Sequence, residues 1–220
     1  MAAAFACAAV GSAMAASSAF GVAQTIVAID DSFVGATFTM DQGERPTLQN
    51  NGTSQHNATA RNNGPDGEFL FESPTIGNGS TIVEGTQYLT TGSYAFICTI
   101  HPLSMTANLQ VSALGAPVAR PRIDALLGKG KLDKIAKKGK LQATVKALTK
   151  SDGITLDLAL GKKVVATQKP FNLGAGQQRK VTLKLNKAGK SKLRKRDSAK
   201  LKLTGEVPFG APDRAKRTYK

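Results

Sequence analysis

The chain has no tryptophan, only two histidines and only two cysteines, and no charged residue before Asp30. Each scarcity excludes something. Aromatics make up 5% of the 220 residues, and residues 117–220 hold just Phe171, Phe209 and Tyr219, too few for a platform on which nucleic-acid bases stack. Two cysteines, Cys7 and Cys98, cannot make a disulfide framework. There is no glycine-rich phosphate loop, and no nucleophile–base constellation of the kind covalent catalysis needs. Long apolar runs are missing as well. The uncharged N-terminal stretch is mostly alanine with serine and glycine, too weakly apolar for a membrane-spanning helix.

What is there is unevenly spread. The formal charge is +15. Residues 24–116 carry two basic and eight acidic side chains, a net of −6, whereas residues 117–220 carry 28 basic and seven acidic, a net of +21. That asymmetry argues for two domains with different surfaces. Residues 1–23 read as a secretory signal segment, with Ala13-Met14-Ala15 and Gly21-Val22-Ala23 as cleavage patterns. Its basic n-region is missing, which fits a true start upstream of Met1 or a degenerate signal. Export places the protein in the periplasm, outside the cell or at the cell surface. Cys7 leaves with the signal, so Cys98 is alone in the mature chain, and a free thiol in an exported protein calls for an explanation.

The explanation lies around Cys98 itself. Residues 94–105 read Tyr-Ala-Phe-Ile-Cys-Thr-Ile-His-Pro-Leu-Ser-Met, which spaces the chemistry as Cys98-x-x-His101-x-x-x-Met105. The other histidine, His56, stands in Ser54-Gln55-His56-Asn57-Ala58. One thiolate, two imidazoles and a thioether form a soft ligand set, that of a blue-copper electron-transfer site. Taken singly, Cys98 reads as a buried structural thiol, His101 as a loop histidine and Met105 as core. Taken jointly they read as copper ligands. Zinc also takes thiolate and imidazole, but structural zinc sites add further Cys or His, and the chain has none to add.

Residues 24–113 resemble the cupredoxins, the family of plastocyanin, amicyanin, pseudoazurin and azurin. The resemblance rests on Gly92-x-Tyr94-x-Phe96-x-Cys98, on Cys98-Thr99-x-His101-Pro102, on Met105 and on the upstream pair His56-Asn57. It implies a Greek-key β-sandwich or barrel holding one Cu(I)/Cu(II) ion on His56, Cys98, His101 and Met105. It gives Asn57, with Thr99, the role of tying the first histidine's strand to the cysteine loop. It also makes Pro102 and Leu103 part of an apolar patch where a redox partner docks near His101. Two departures are visible. The His101-to-Met105 gap is longer than in amicyanin and shorter than in plastocyanin or pseudoazurin, and Ala107 stands where many members have glycine.

The pattern predicts strands at 25–29, 33–40, 45–49, 56–61, 68–71, 80–88, 92–98 and 106–111, separated by Gly/Asn/Pro turns. Residues 114–122 form a Pro/Gly/Ala linker. Beyond it, residues 123–220 alternate apolar residues with polar ones, often lysine, at 141–147, 154–160, 181–185 and 201–203. That is a half-buried antiparallel sheet with a basic outer face. Short helices are expected at 131–138, stopped by Gly139, and within 186–197. This half resembles the lysine-rich, immunoglobulin-like β-sandwich modules of secreted bacterial proteins. The fold class expected is all-β throughout.

The leading expectation is an exported electron carrier, not an enzyme, because four protein ligands leave no open position for substrate. A copper storage or delivery protein at the cell surface is the alternative, and a copper-free structural or adhesive protein a third. The basic half reads as a solvated lysine face or as a means of holding anionic cell-wall polymer or membrane. Nucleic acid is not an expected partner.

Overall fold

The computed structural model describes residues 24–220, so the signal segment expected at 1–23 lies outside the described residues. The described residues are all-β, with two short helices and one 3₁₀ turn among them. The first half contains β1 (Thr25–Ile29), β2 (Ser32–Phe33), β3 (Thr37–Gln42), β4 (Thr47–Asn50), β5 (Thr59–Ala60), β6 (Gly79–Ile82), β7 (Gly92–Ile97) and β8 (Thr106–Gly115). They form two four-stranded sheets, ordered β2-β1-β4-β6 and β3-β8-β7-β5. Both sheets are mixed: β1 runs parallel to β4 and β3 parallel to β8.

Alternation builds the core between these sheets. Ile26, Ala28 and Leu48 point inward from one sheet, and Phe38, Met40, Phe96, Leu109 and Val111 from the other. Phe96 is the hub, with ring centroids 5.0 Å from Phe33, 6.0 Å from Phe38 and 6.2 Å from Phe71.

Several predicted strands are shorter or divided. The run at 33–40 breaks around Gly35, whose φ of 121° takes the chain out of the strand. Residues 56–61 keep β5 and isolated bridges from His56 to Ile76 and from Thr59 to Glu72, and residues 68–71 hold one isolated bridge, from Phe69 to Asn63, instead of a strand. The 80–88 run becomes β6 followed by a 3₁₀ turn at Thr86–Tyr88. In the opposite direction, β8 continues to Gly115, into the stretch read as linker.

The second half contains β9 (Ile123–Leu127), α1 (Leu132–Lys138), β10 (Lys140–Ala147), β11 (Ser151–Leu160), β12 (Lys163–Leu173), β13 (Gln178–Lys184), α2 (Lys187–Arg194), β14 (Ala199–Glu206) and β15 (Asp213–Tyr219). A three-stranded sheet, β13-β10-β9, and a four-stranded sheet, β12-β11-β14-β15, enclose a separate core with Val145, Leu156, Leu158, Leu183, Leu201 and Leu203 at its centre. Helix α1 ends where Gly139 takes a left-handed φ of 63° and donates its N–H to the Ile135 carbonyl. At the start of α2 the Asn186 side chain accepts from the Gly189 N–H.

The two halves touch through Phe209. Its N–H donates to Asp66 Oδ2 at 2.7 Å, and its ring lies 6.0 Å from that of Tyr88. Arg120 donates to the Phe209 carbonyl at 3.2 Å while its guanidinium sits 5.9 Å from the Tyr88 ring. Strand β8 starts at the cysteine loop and ends at Gly115, where the second half begins. Its ten residues put about 30 Å between the two ends at roughly 3.3 Å per residue.

Candidate metal centre

The loop joining β7 to β8 carries Cys98, His101 and Met105, and its backbone closes on itself. The Met105 N–H donates to the His101 carbonyl at 2.9 Å, and the Cys98 N–H donates to the Met105 carbonyl at 3.1 Å. Met105 therefore ties both ends of the loop, and its side chain is fully buried. His56 arrives on the segment leading into β5, the neighbour of β7 in the same sheet, and is held by a two-way backbone pairing with Ile76, both bonds at 2.9 Å.

These elements bring three ligand atoms together. Both histidines turn Nδ1 toward the buried thiol: Cys98 Sγ lies 3.9 Å from His56 Nδ1 and 3.8 Å from His101 Nδ1, and the donor atoms of all three residues lie within 4.8 Å of one another. Among the described residues no other group of three or more His, Cys, Asp or Glu side chains gathers in this way. The spacing tests whether a metal fits. Bonds of about 2.3 Å to sulfur and about 2.05 Å to nitrogen, the lengths such ligands make to zinc, put N and S about 3.8 Å apart in a trigonal plane and about 3.6 Å apart in a tetrahedron. The observed separations leave room for one ion between the sulfur and the two nitrogens.

Around the three ligands the chain is cross-braced. Asn57 Nδ2 donates to Thr99 Oγ1 and Asn57 Oδ1 accepts from the Thr99 N–H, each at 2.8 Å. That reciprocal pair fastens the residue after His56 to the residue after Cys98. Behind His56, the buried Ser73 hydroxyl accepts from the Ala58 N–H at 3.0 Å. Asn50, also buried, donates to the carbonyls of Ser54 and Ile76 and so holds the segment leading to His56. Sequence reasoning passed over Asn50, because Asn50-Asn51-Gly52 reads as a turn signal and its side-chain bonds are visible only in three dimensions.

His56 and His101 differ in exposure. His56 is fully buried, and its Nε2 has no hydrogen-bond partner. Burial, and after it the neighbouring His101, push the His56 imidazole below its ordinary pKa. The neutral ring, the form that binds metal, is thereby favoured. The His101 side chain retains 23% exposure, and its Nε2 lies 3.2 Å from Asp31 Oδ1. Pro102 is exposed beside it and Leu103 is 97% exposed, with Ile100 also open to solvent.

Comparison with known proteins adds the following. No protein-family model matches the chain, and no curated protein matches its sequence. Amicyanin from Paracoccus versutus is similar at 18% identity, over 41% of this chain and 81% of that one, with a TM-score of 0.35. An oxidised methionine-to-leucine mutant of amicyanin is similar at 17% identity, over 41% and 82% of the two chains, also at 0.35.

Proposed function

We propose that residues 24–113 form an exported cupredoxin-type domain that holds one copper ion and passes single electrons between redox partners. The observation that carries this reading is the trio of donor atoms, with sulfur 3.8 and 3.9 Å from two Nδ1 atoms that are 45 residues apart in sequence. His56, Cys98, His101 and Met105 would hold the ion. A thioether beside a thiolate suits copper, whereas a structural zinc site needs a fourth nitrogen or thiolate ligand. A copper ion held by such ligands would supply one-electron chemistry between Cu(I) and Cu(II).

The protein's part is to hold the ligands still. Asn57 and Thr99 keep the two ligand-bearing segments in register, and the backbone of Met105 fixes the loop on which His101 rides. Since four side chains would surround the ion and leave no position for substrate, the domain would serve as a carrier and not as an enzyme. Electrons pass at the partly exposed His101 edge, where Pro102 and the fully open Leu103 provide an apolar contact for a partner protein. The basic half, at a net of +21, holds the molecule to an anionic cell-wall or membrane surface. Among the described residues no helix is long and apolar enough to cross a membrane.

Cyclic voltammetry of the copper-loaded protein tests this function. A reversible one-electron wave that survives many cycles is expected. Copper lost to a mild Cu(I) chelator on each reduction would instead mark a delivery protein.

A further inference from the structure

The turn between β1 and β2 reaches the histidines from outside the loop that carries the motif. Ile29 pairs with Ser32, so Asp30 and Asp31 alone make the turn. Asp30 adopts a left-handed φ of 47°, a region that aspartate visits more readily than most residues. The turn is pinned from behind. The Asn51 N–H donates to the Ala28 carbonyl at 2.9 Å, and Gly52 packs so closely that a Cβ there would sit 2.6 Å from the Asp30 nitrogen. Gly52 is fixed in turn, its N–H donating to the buried Asn50 Oδ1 at 2.9 Å. Asp31 is thus presented to His101 by a braced support, although its side chain is 63% exposed.

We propose that Asp31 is a positioning residue for the copper site: its carboxylate, on Nε2 of His101, holds the ring with Nδ1 free for the metal and poises the site toward its oxidised state. The proposal rests on the copper reading above. Its chemistry is general. A ring nitrogen that donates to a carboxylate leaves the other nitrogen bare, fixes the ring's orientation and makes it a stronger donor. A negative charge close to a metal also favours the more positive oxidation state. His56 has no carboxylate on its ring: its Nε2 is buried without a side-chain partner and faces the backbone of Asp30. The two histidines therefore play different parts: His56 is enclosed by packing beside the Asp30 backbone, and His101 alone touches the Asp31 carboxylate.

The test uses the full-length chain with Asp31→Asn, Asp31→Ala and Asp31→Glu. In copper-loaded protein, Asp31→Asn shifts the redox equilibrium about tenfold toward Cu(I), a rise of about 59 mV for a one-electron couple. Asp31→Ala also weakens copper binding about tenfold, the lower end of what loss of such a partner does. Asp31→Glu restores both values toward wild type. Without metal, ¹H–¹⁵N correlation of the imidazoles finds the His101 proton on Nε2 in wild type and a mixture of tautomers in Asp31→Ala. Wild-type potential and affinity in Asp31→Asn and Asp31→Ala, with the thiolate-to-copper absorption intact, overturn the role of Asp31 and leave the copper reading standing. Absence of that absorption in the wild type removes the copper reading and this proposal with it.

Discussion

Cys98 is buried, lies at the end of a core strand and has two imidazole nitrogens within 4 Å of its sulfur. Met105 plays two parts, since its backbone holds the loop and its thioether is the fourth ligand proposed above. Met105→Leu is therefore expected to retain copper while shifting the reduction potential, because the axial ligand tunes such a site more than it holds the metal. Voltammetry beside a copper assay checks this, and complete loss of metal would contradict it. A second expectation concerns His56 in the metal-free protein. Its folded pKa is lowered, so the unfolded chain takes up the proton first as pH falls below about 6.5. Stability present above that pH is lost as pH falls through the folded value. Urea midpoints at pH 7.5 and 5.5 should fall further in wild type than in His56→Gln. The ligand residues were legible because the motif puts three of them within eight positions. Asp31 and Asn50 were not, because the spacing of a turn does not say which side chain it faces across the fold.

At the next level up, strand alternation was informative wherever one face is core. It marked β1, β7 and β10 nearly to their ends, and Gly139 stopped α1 as expected. It failed where lysine, arginine and threonine dilute the signal. Strand β15 alternates only between exposed and half-buried positions until Tyr219, and β12 pairs through register shifts, so neither stood out. The parallel pairings of β1 with β4 and β3 with β8 are contacts between segments distant in sequence, which periodicity does not encode. Phe96, by contrast, follows directly from its alternating strand. Replacing it with alanine removes the ring that Phe33, Phe38 and Phe71 surround, at a cost of about 3–5 kcal/mol. A denaturant titration should show the loss in the transition that unfolds residues 24–113. A cost below about 1 kcal/mol would mean that the aromatic cluster is not the core's hub.

For the molecule as a whole, the two cores share no buried cluster, and the halves meet at Phe209, Tyr88, Arg120 and Asp66. We propose that they are separately stable domains joined at the end of the first that lies away from the histidines. That placement leaves the His101 edge free while the basic half rests on an anionic surface. The charge imbalance between halves was legible from composition, whereas the Phe209 contact, between residues 143 apart from Asp66 to Phe209, was not. Adhesion of the basic half to anionic vesicles should weaken steeply with salt, since exposed charges are screened within about 10 Å at 0.1 M ionic strength. The first half, at −6, should not adhere. Sedimentation of each fragment at low and high salt checks this, and salt-insensitive adhesion would leave the lysines as a solubilising face.

Everything proposed for the site depends on copper bound to one thiolate, and a visible absorption spectrum addresses that bond directly. The full-length protein, loaded with one equivalent of Cu(II), should turn intensely coloured through thiolate-to-copper charge transfer, and Cys98→Ala loaded in the same way should not. A copper-loaded wild type without strong visible absorption, or a Cys98→Ala protein as coloured as the wild type, would contradict a type 1 copper centre at His56, Cys98 and His101.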